Sequence, residues 1–109
     1  MSDIIPILCR HPLVGAWRNP DPDYASEFTV SAAPDGFTVM GVDINDGEQH
    51  EIWGVSWDGM ALRFTSRMPS TNHVVEHEFR LNGVDHVIHR FTLLESWIRA
   101  SKSAKNHSA

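Results

Sequence analysis

The chain is expected to fold as an all-β domain, an antiparallel up-and-down meander of about eight short strands closing into a barrel or half-barrel. Three observations point there. Turn signals recur about every ten residues, at APDGF, NDGE, WDGM, MPSTN and LNGV. The segments between them are rich in Val, Phe, Trp, Ile and Thr and alternate apolar with polar residues. No repeat, low-complexity linker or long amphipathic helix interrupts residues 13–99, which read as one domain.

In chain order, residues 1–12 contain IIPIL and read as an N-terminal lid or extended segment. LVGAWR opens the meander, followed by SEFTVSA, FTVMGVDI, HEIWGVSW, MALRFTSRM, HVVEHEFRL and HVIHRFTLL, with ESWIR as the last strand. Residues 100–109, ending SKSAKNHSA, read as a flexible tail.

Each turn implies a register, and the register implies which side chains face inward. A two-residue Asp58-Gly59 turn pairs Trp57 with Met60, Val55 with Leu62, Trp53 with Phe64 and Glu51 with Ser66, gathering the large apolar groups on one face. A three-residue Asn45-Asp46-Gly47 loop, with Gly47 in the left-handed region, sets Val39 against Trp53 and Phe37 against Val55. The PSTN connection brings Phe64 opposite His77, Leu62 opposite Phe79 and Ser66 opposite Val75. A plain Asn82-Gly83 turn would mix polar and apolar faces. A bulge beside it restores them, pairing Phe79 with Val87, His77 with His89, Val75 with Phe91 and, outside, Glu76 with Arg90.

Composition narrows the function classes. The 109 residues are 41% apolar and 21% charged, ordinary for a globular domain. A net charge of −5 without a basic block removes the footprint that a phosphate backbone needs, so no nucleic-acid partner is expected. The single cysteine, Cys9, cannot form an internal disulfide and reads as an inert thiol. MSDIIPILCR lacks a basic n-region and a spanning apolar run, so a cytoplasmic location and no membrane partner are expected.

Four of the seven histidines fall within HVVEHEFRLNGVDHVIHRF, residues 73–91. His73 and His77 have HxxxH spacing, which makes a metal pair only on a helix; on a strand they lie roughly 13 Å apart at about 3.3 Å per residue. His86 and His89 point to opposite faces. Only His77 and His89 meet inside. Two imidazoles are short of the three or four ligands zinc prefers, with Glu51, Ser66 and Asp43 the nearest polar candidates, so neither a metal nor another cofactor is expected. Glu76, Glu78, Arg80, Arg63 and Arg67 belong to the solvated outer face.

Gly15-Ala16-Trp17, within LVGAWR, resembles the GxW signature of the calycins, the superfamily of lipocalins, fatty-acid-binding proteins and avidins. Those barrels carry a basic residue on the last strand that packs over the Trp, and Arg99 in ESWIRA stands in the corresponding place. The resemblance implies a lipocalin-like barrel, closed at one end by Trp17 and Arg99, with a ligand cavity. The chain is shorter than a lipocalin proper, and RNPDPDYAS is a short substitute for the Ω-loop after the first strand. A shallow or half-open barrel is therefore expected.

The residues and the resemblance together lead to the expectation of a small apolar or aromatic ligand, bound in an interior pocket by His77, His89, Trp53, Phe64, Ser66, Glu51, Phe79 and Phe91. Two alternatives stand beside it. One is a small cofactor-independent lyase, isomerase or cyclase using the same pocket, although no nucleophile elbow, phosphate loop or cofactor fingerprint is present. The other is a dimeric interaction module with a filled barrel. Met40, Val42, Ile44, Ile52 and Ile88 make an outer face apolar enough to suggest a homodimer.

Overall fold

A computed structural model describes residues 10–100; the IIPIL lid, Cys9 and the SKSAKNHSA tail lie outside the described residues. The fold is all-β, with seven strands: β1 (Gly15–Arg18), β2 (Ser26–Ala33), β3 (Gly36–Asp43), β4 (Glu51–Trp57), β5 (Ala61–Met68), β6 (His73–Leu81) and β7 (Val87–Leu94). All pairings are antiparallel, in two sheets ordered β1-β2-β3 and β4-β5-β6-β7. The corner between them is held by a Val42–Gln49 bridge and by the backbone bonds His50 N–H to Gly41 O and Asp43 N–H to Glu48 O. ESWIR forms no strand, and the sheets do not close into a barrel among the described residues. No helix there is long and apolar enough to cross a membrane.

Alternation within the strands explains the core. Phe28 and Val30 on β2, Phe37 and Val39 on β3, Leu62 and Phe64 on β5, and Phe79 on β6 all face inward and are buried. Leu13, ahead of β1, plugs one end. It is anchored by its own N–H to His11 Nδ1 at 3.1 Å, while Trp17 Nε1–H donates to its carbonyl at 2.8 Å. The His11 ring packs edge-on against Phe37 and Trp57, completing that end.

The β5–β6 register is the expected one, with Phe64 opposite His77, Leu62 opposite Phe79 and Ser66 opposite Val75. The β4–β5 register is not. The turn centres on Gly59-Met60, because the Asp58 carboxylate accepts from the N–H groups of both Met60 and Ala61, at 2.8 Å each. Trp57 thus meets Leu62. A bulge follows between Trp53 and Ser56, where Gly54, at a φ of 69°, takes the left-handed conformation that an extra residue needs. Beyond it Trp53 lies opposite Thr65 and Glu51 opposite Arg67, so Trp53, Val55 and Glu51 turn outward, whereas Ile52 turns in toward the core.

Two loops are longer than expected. The β3–β4 connection closes with Asp43 against Glu48, leaving four residues outside the ladder. Gly47 has the expected positive φ, 79°, but β3 does not pair with β4 as a ladder. At LNGV, Asn82 N–H bonds to His86 O, and β7 pairs two residues further along than expected: Phe79 with His89, His77 with Phe91, Val75 with Leu93, and outside Glu78, not Glu76, with Arg90. A shift of two preserves the face of every side chain. The outer face carries Arg63 bonded to Asp58 at 2.8 Å, Arg67 to Glu51 at 2.9 Å, and Arg80 to Glu78.

Gly41 is held to glycine by space. A Cβ there would sit 2.7 Å from the Phe28 ring and 3.0 Å from His50. Gly41→Ala is expected to lower stability by about 1–3 kcal/mol through overpacking, seen as a reduced urea midpoint with an unchanged slope.

Candidate functional site

Three inward residues of the second sheet make one hydrogen-bonded chain. Ser66 Oγ lies 2.7 Å from His77 Nε2, and His77 Nδ1 lies 2.8 Å from His89 Nε2. Ser66 and His77 are 3% and 7% exposed. The two-residue shift makes His77 and His89 diagonal neighbours rather than opposed ones, and their rings still stack, with centroids 5.1 Å apart and planes 12° apart.

The stack continues on both sides. Phe64 lies parallel to His77 at 4.5 Å, and Phe91 lies beside His89 at 5.3 Å, so four rings cross the sheet from β5 to its edge strand β7. Phe79 meets His89 edge-on at 5.0 Å. On the other sheet Phe28 points an edge at His77, at 4.8 Å, and lies 5.4 Å from His50.

His77, Phe79, His89 and Phe91 form one wall of a cavity of about 490 Å³. Ser66, Val75, His77, Phe79, Val87, His89 and Phe91 line it from the second sheet, and Trp17, Arg18, Ser26 and Phe28 from the first. Asn19, Pro20, Tyr24, His50, Met68, Thr71 and His73 complete the lining. Most of this surface is apolar or aromatic, and among the described residues no carboxylate contributes to it.

Five of the eight expected site residues meet at the cavity: His77, His89, Ser66, Phe79 and Phe91. Phe64 lies behind it, buried beneath the His77 ring. Glu51 and Trp53 do not belong to it; Glu51 is paired to Arg67 outside and Trp53 is 46% exposed, both displaced by the turn at Gly59-Met60 and the bulge at Gly54. Trp17 lines the cavity, but Arg99 is exposed in a segment without strand structure, and no contact joins the two among the described residues.

His50 and Ser26 were missed. Ser26 Oγ lies 3.1 Å from His50 Nε2, a second hydroxyl–imidazole pair beside Phe28. His50 Nδ1 is buried without a hydrogen-bond partner. The signal for Ser26 was its parity with Phe28 and Val30. For His50 it was parity with Ile52, legible only once the bulge at Gly54 is known.

Burial disfavours the charged form of three imidazoles, His77, His89 and His50. Burial pushes the His77 pKa down to about 3, with smaller contributions from His89 and His50; burial lowers those of His89 and His50 as well, the latter against Asp43 and Glu48. A neutral His77–His89 pair can accept or donate hydrogen bonds but offers no cation to an anionic ligand. Among the described residues no group of three or more His, Cys, Asp or Glu is arranged around a common metal position.

Comparison with protein-family models, curated proteins and solved structures returned no match.

The sign of the pH dependence follows from the lowered values. Between the unfolded imidazole pKa near 6.5 and the folded value near 3, the unfolded chain binds the proton that folded His77 refuses, so stability falls as pH drops through that window. The slope attributable to His77 approaches about 1.4 kcal/mol per pH unit. Urea unfolding at pH 7 and pH 5 should show this loss in the natural chain and a smaller one in His77→Phe.

Proposed function

We propose that this protein binds a small apolar or aromatic molecule inside its half-barrel. The observation that carries this reading is the cavity of about 490 Å³, walled by stacked aromatic rings and containing one hydrogen-bonded chain of polar groups that runs from buried Ser66 and His77 to exposed His89. Small-molecule pockets typically span about 300–1,000 Å³ and combine many apolar walls with few placed polar atoms. The likeness to calycins belongs to this proposal: Gly15-Ala16-Trp17 opens the first strand and Trp17 lines the cavity, as a barrel-type binding protein would have it. A cytoplasmic setting, where Cys9 stays a thiol, is part of the same reading.

Val75 lies on the cavity wall opposite Leu93. Val75→Trp should fill the space, weakening binding of an apolar fluorescent dye by about tenfold, equivalent to roughly 1.4 kcal/mol, while the melting temperature holds. Native mass spectrometry of the gently purified chain should show a reproducible bound small molecule. Unchanged dye binding in Val75→Trp would remove the cavity from consideration.

Self-association is a second reading, and the edge strand favours it. Among the described residues β7 has one unpaired backbone edge and exposes Ile88, Phe91, Leu93 and Leu94; Met40 and Ile44 are exposed on the first sheet. Ile52, expected on that outer face, packs inward instead. We propose a homodimer that covers β7. Sedimentation velocity at micromolar concentration should give twice the chain mass, and a monomer would refute it.

A further inference from the structure

Ser66, His77 and His89 form an unbroken chain from the buried interior of β5 to the edge strand β7, and all three line the cavity. A neutral imidazole carries one N–H and one lone pair, so this chain can run in only two directions. In one, the Ser66 hydroxyl donates to His77 Nε2, His77 Nδ1–H donates to His89 Nε2, and His89 Nδ1–H is left as a donor. In the other, His89 Nε2–H donates to His77 Nδ1, His77 Nε2–H donates to Ser66 Oγ, and His89 Nδ1 is left as an acceptor. Both give Ser66 Oγ, both His77 nitrogens and His89 Nε2 a partner, but the second leaves the Ser66 O–H without an acceptor among the described residues. His89 Nδ1 has no hydrogen-bond partner among the described residues, and His89 is the most exposed of the three.

The surroundings decide what this end can meet. Phe91, the last ring of the stack, is 54% exposed on the cavity wall, so a planar ring can lie against it. Among the described residues the cavity lining contains no carboxylate and one guanidinium, Arg18, which is exposed. Resting on the binding reading above, we propose that the cavity takes an uncharged planar molecule bearing one hydroxyl or one carbonyl, and that the Ser66–His77–His89 chain reverses direction to match it. A hydroxyl donates to the bare His89 Nδ1; a carbonyl accepts from His89 Nδ1–H. The anchor therefore accepts both classes without moving a side chain: each imidazole shifts its one proton between its two nitrogens by exchange with solvent, while the Ser66 hydroxyl keeps its proton and rotates.

The test uses the full chain with four probes: phenol, acetophenone, toluene and benzoate. Long-range proton–nitrogen NMR correlations of the histidine rings report which nitrogen carries the proton. Phenol and acetophenone should both bind, with the His77 proton on Nε2 in the phenol complex and on Nδ1 in the acetophenone complex. The same His77 tautomer in both complexes, binding of only one of the two, or a preference for benzoate over both overturns the proposal. Toluene bound as tightly as phenol, with no histidine response to any probe, overturns it while leaving the cavity a binding site. Binding of none of the four, with the chain folded, overturns the binding reading and this proposal together.

Ser66→Ala supplies an independent readout, with folding checked by circular dichroism. Without the hydroxyl, the phenol-bound direction strands a buried N–H at His77 Nε2, whereas the acetophenone-bound direction strands only a lone pair. The free Ser66→Ala chain should therefore hold the His77 proton on Nδ1, since an unsatisfied buried donor is the costlier defect, and phenol should still draw it to Nε2. A His77 proton on Nε2 in the free variant would overturn the reversible chain.

Discussion

A buried imidazole needs partners for both ring nitrogens, and the arrangement around His77 follows from that need. Ser66 meets one nitrogen and His89 the other, so three adjacent strands must hold a common register for the chain to exist. Phe64 covers one face of the ring and Phe28 presents an edge to it, which removes water and holds His77 uncharged. The same residues serve as core filler and as the polar line of the cavity. Stability and binding chemistry are therefore coupled at one side chain.

Phe28 extends that coupling across the fold. It sits between two hydroxyl–imidazole pairs, Ser66–His77 on the second sheet and Ser26–His50 on the first, and touches both imidazoles. Its position depends on Gly41, whose missing side chain leaves room for the ring. The two sheets share little backbone bonding at their corner, so this aromatic contact, together with Phe28 against Phe64 at 5.2 Å, supplies much of what joins them. Burying a side chain of this size contributes about 1.5–3 kcal/mol, more than the exposed ion pairs on the outer face at roughly 0–1 kcal/mol each.

Much of the site was legible because strand parity survives errors of two. β7 slid by two residues relative to its expected pairing, yet His89 and Phe91 kept their inward faces and His89 still reached His77. Errors of one do not survive. At β4 the bulge at Gly54 reversed the face of Trp53 and Glu51, taking both out of the cavity and bringing Ile52 in. WDGM offered Asp58-Gly59 as the obvious turn centre, but the Asp58 carboxylate caps the N–H groups of Met60 and Ala61, which a Gly59-Met60 centre allows. That choice between two local solutions is invisible to a pattern that counts only turn residues.

By itself the sequence determined the all-β class, the antiparallel order of the strands and the inward faces of β3, β5, β6 and β7, because alternation and turn chemistry are local properties. Only the tertiary structure decided that ESWIR adds no eighth strand, that Arg99 stands apart from Trp17, and that His50 and Ser26 join the cavity. Those outcomes depend on where the two sheets meet and where a bulge absorbs a residue. Both are settled by packing between segments distant in the chain, where burial of rings such as Phe28 and Phe64 outweighs any local preference.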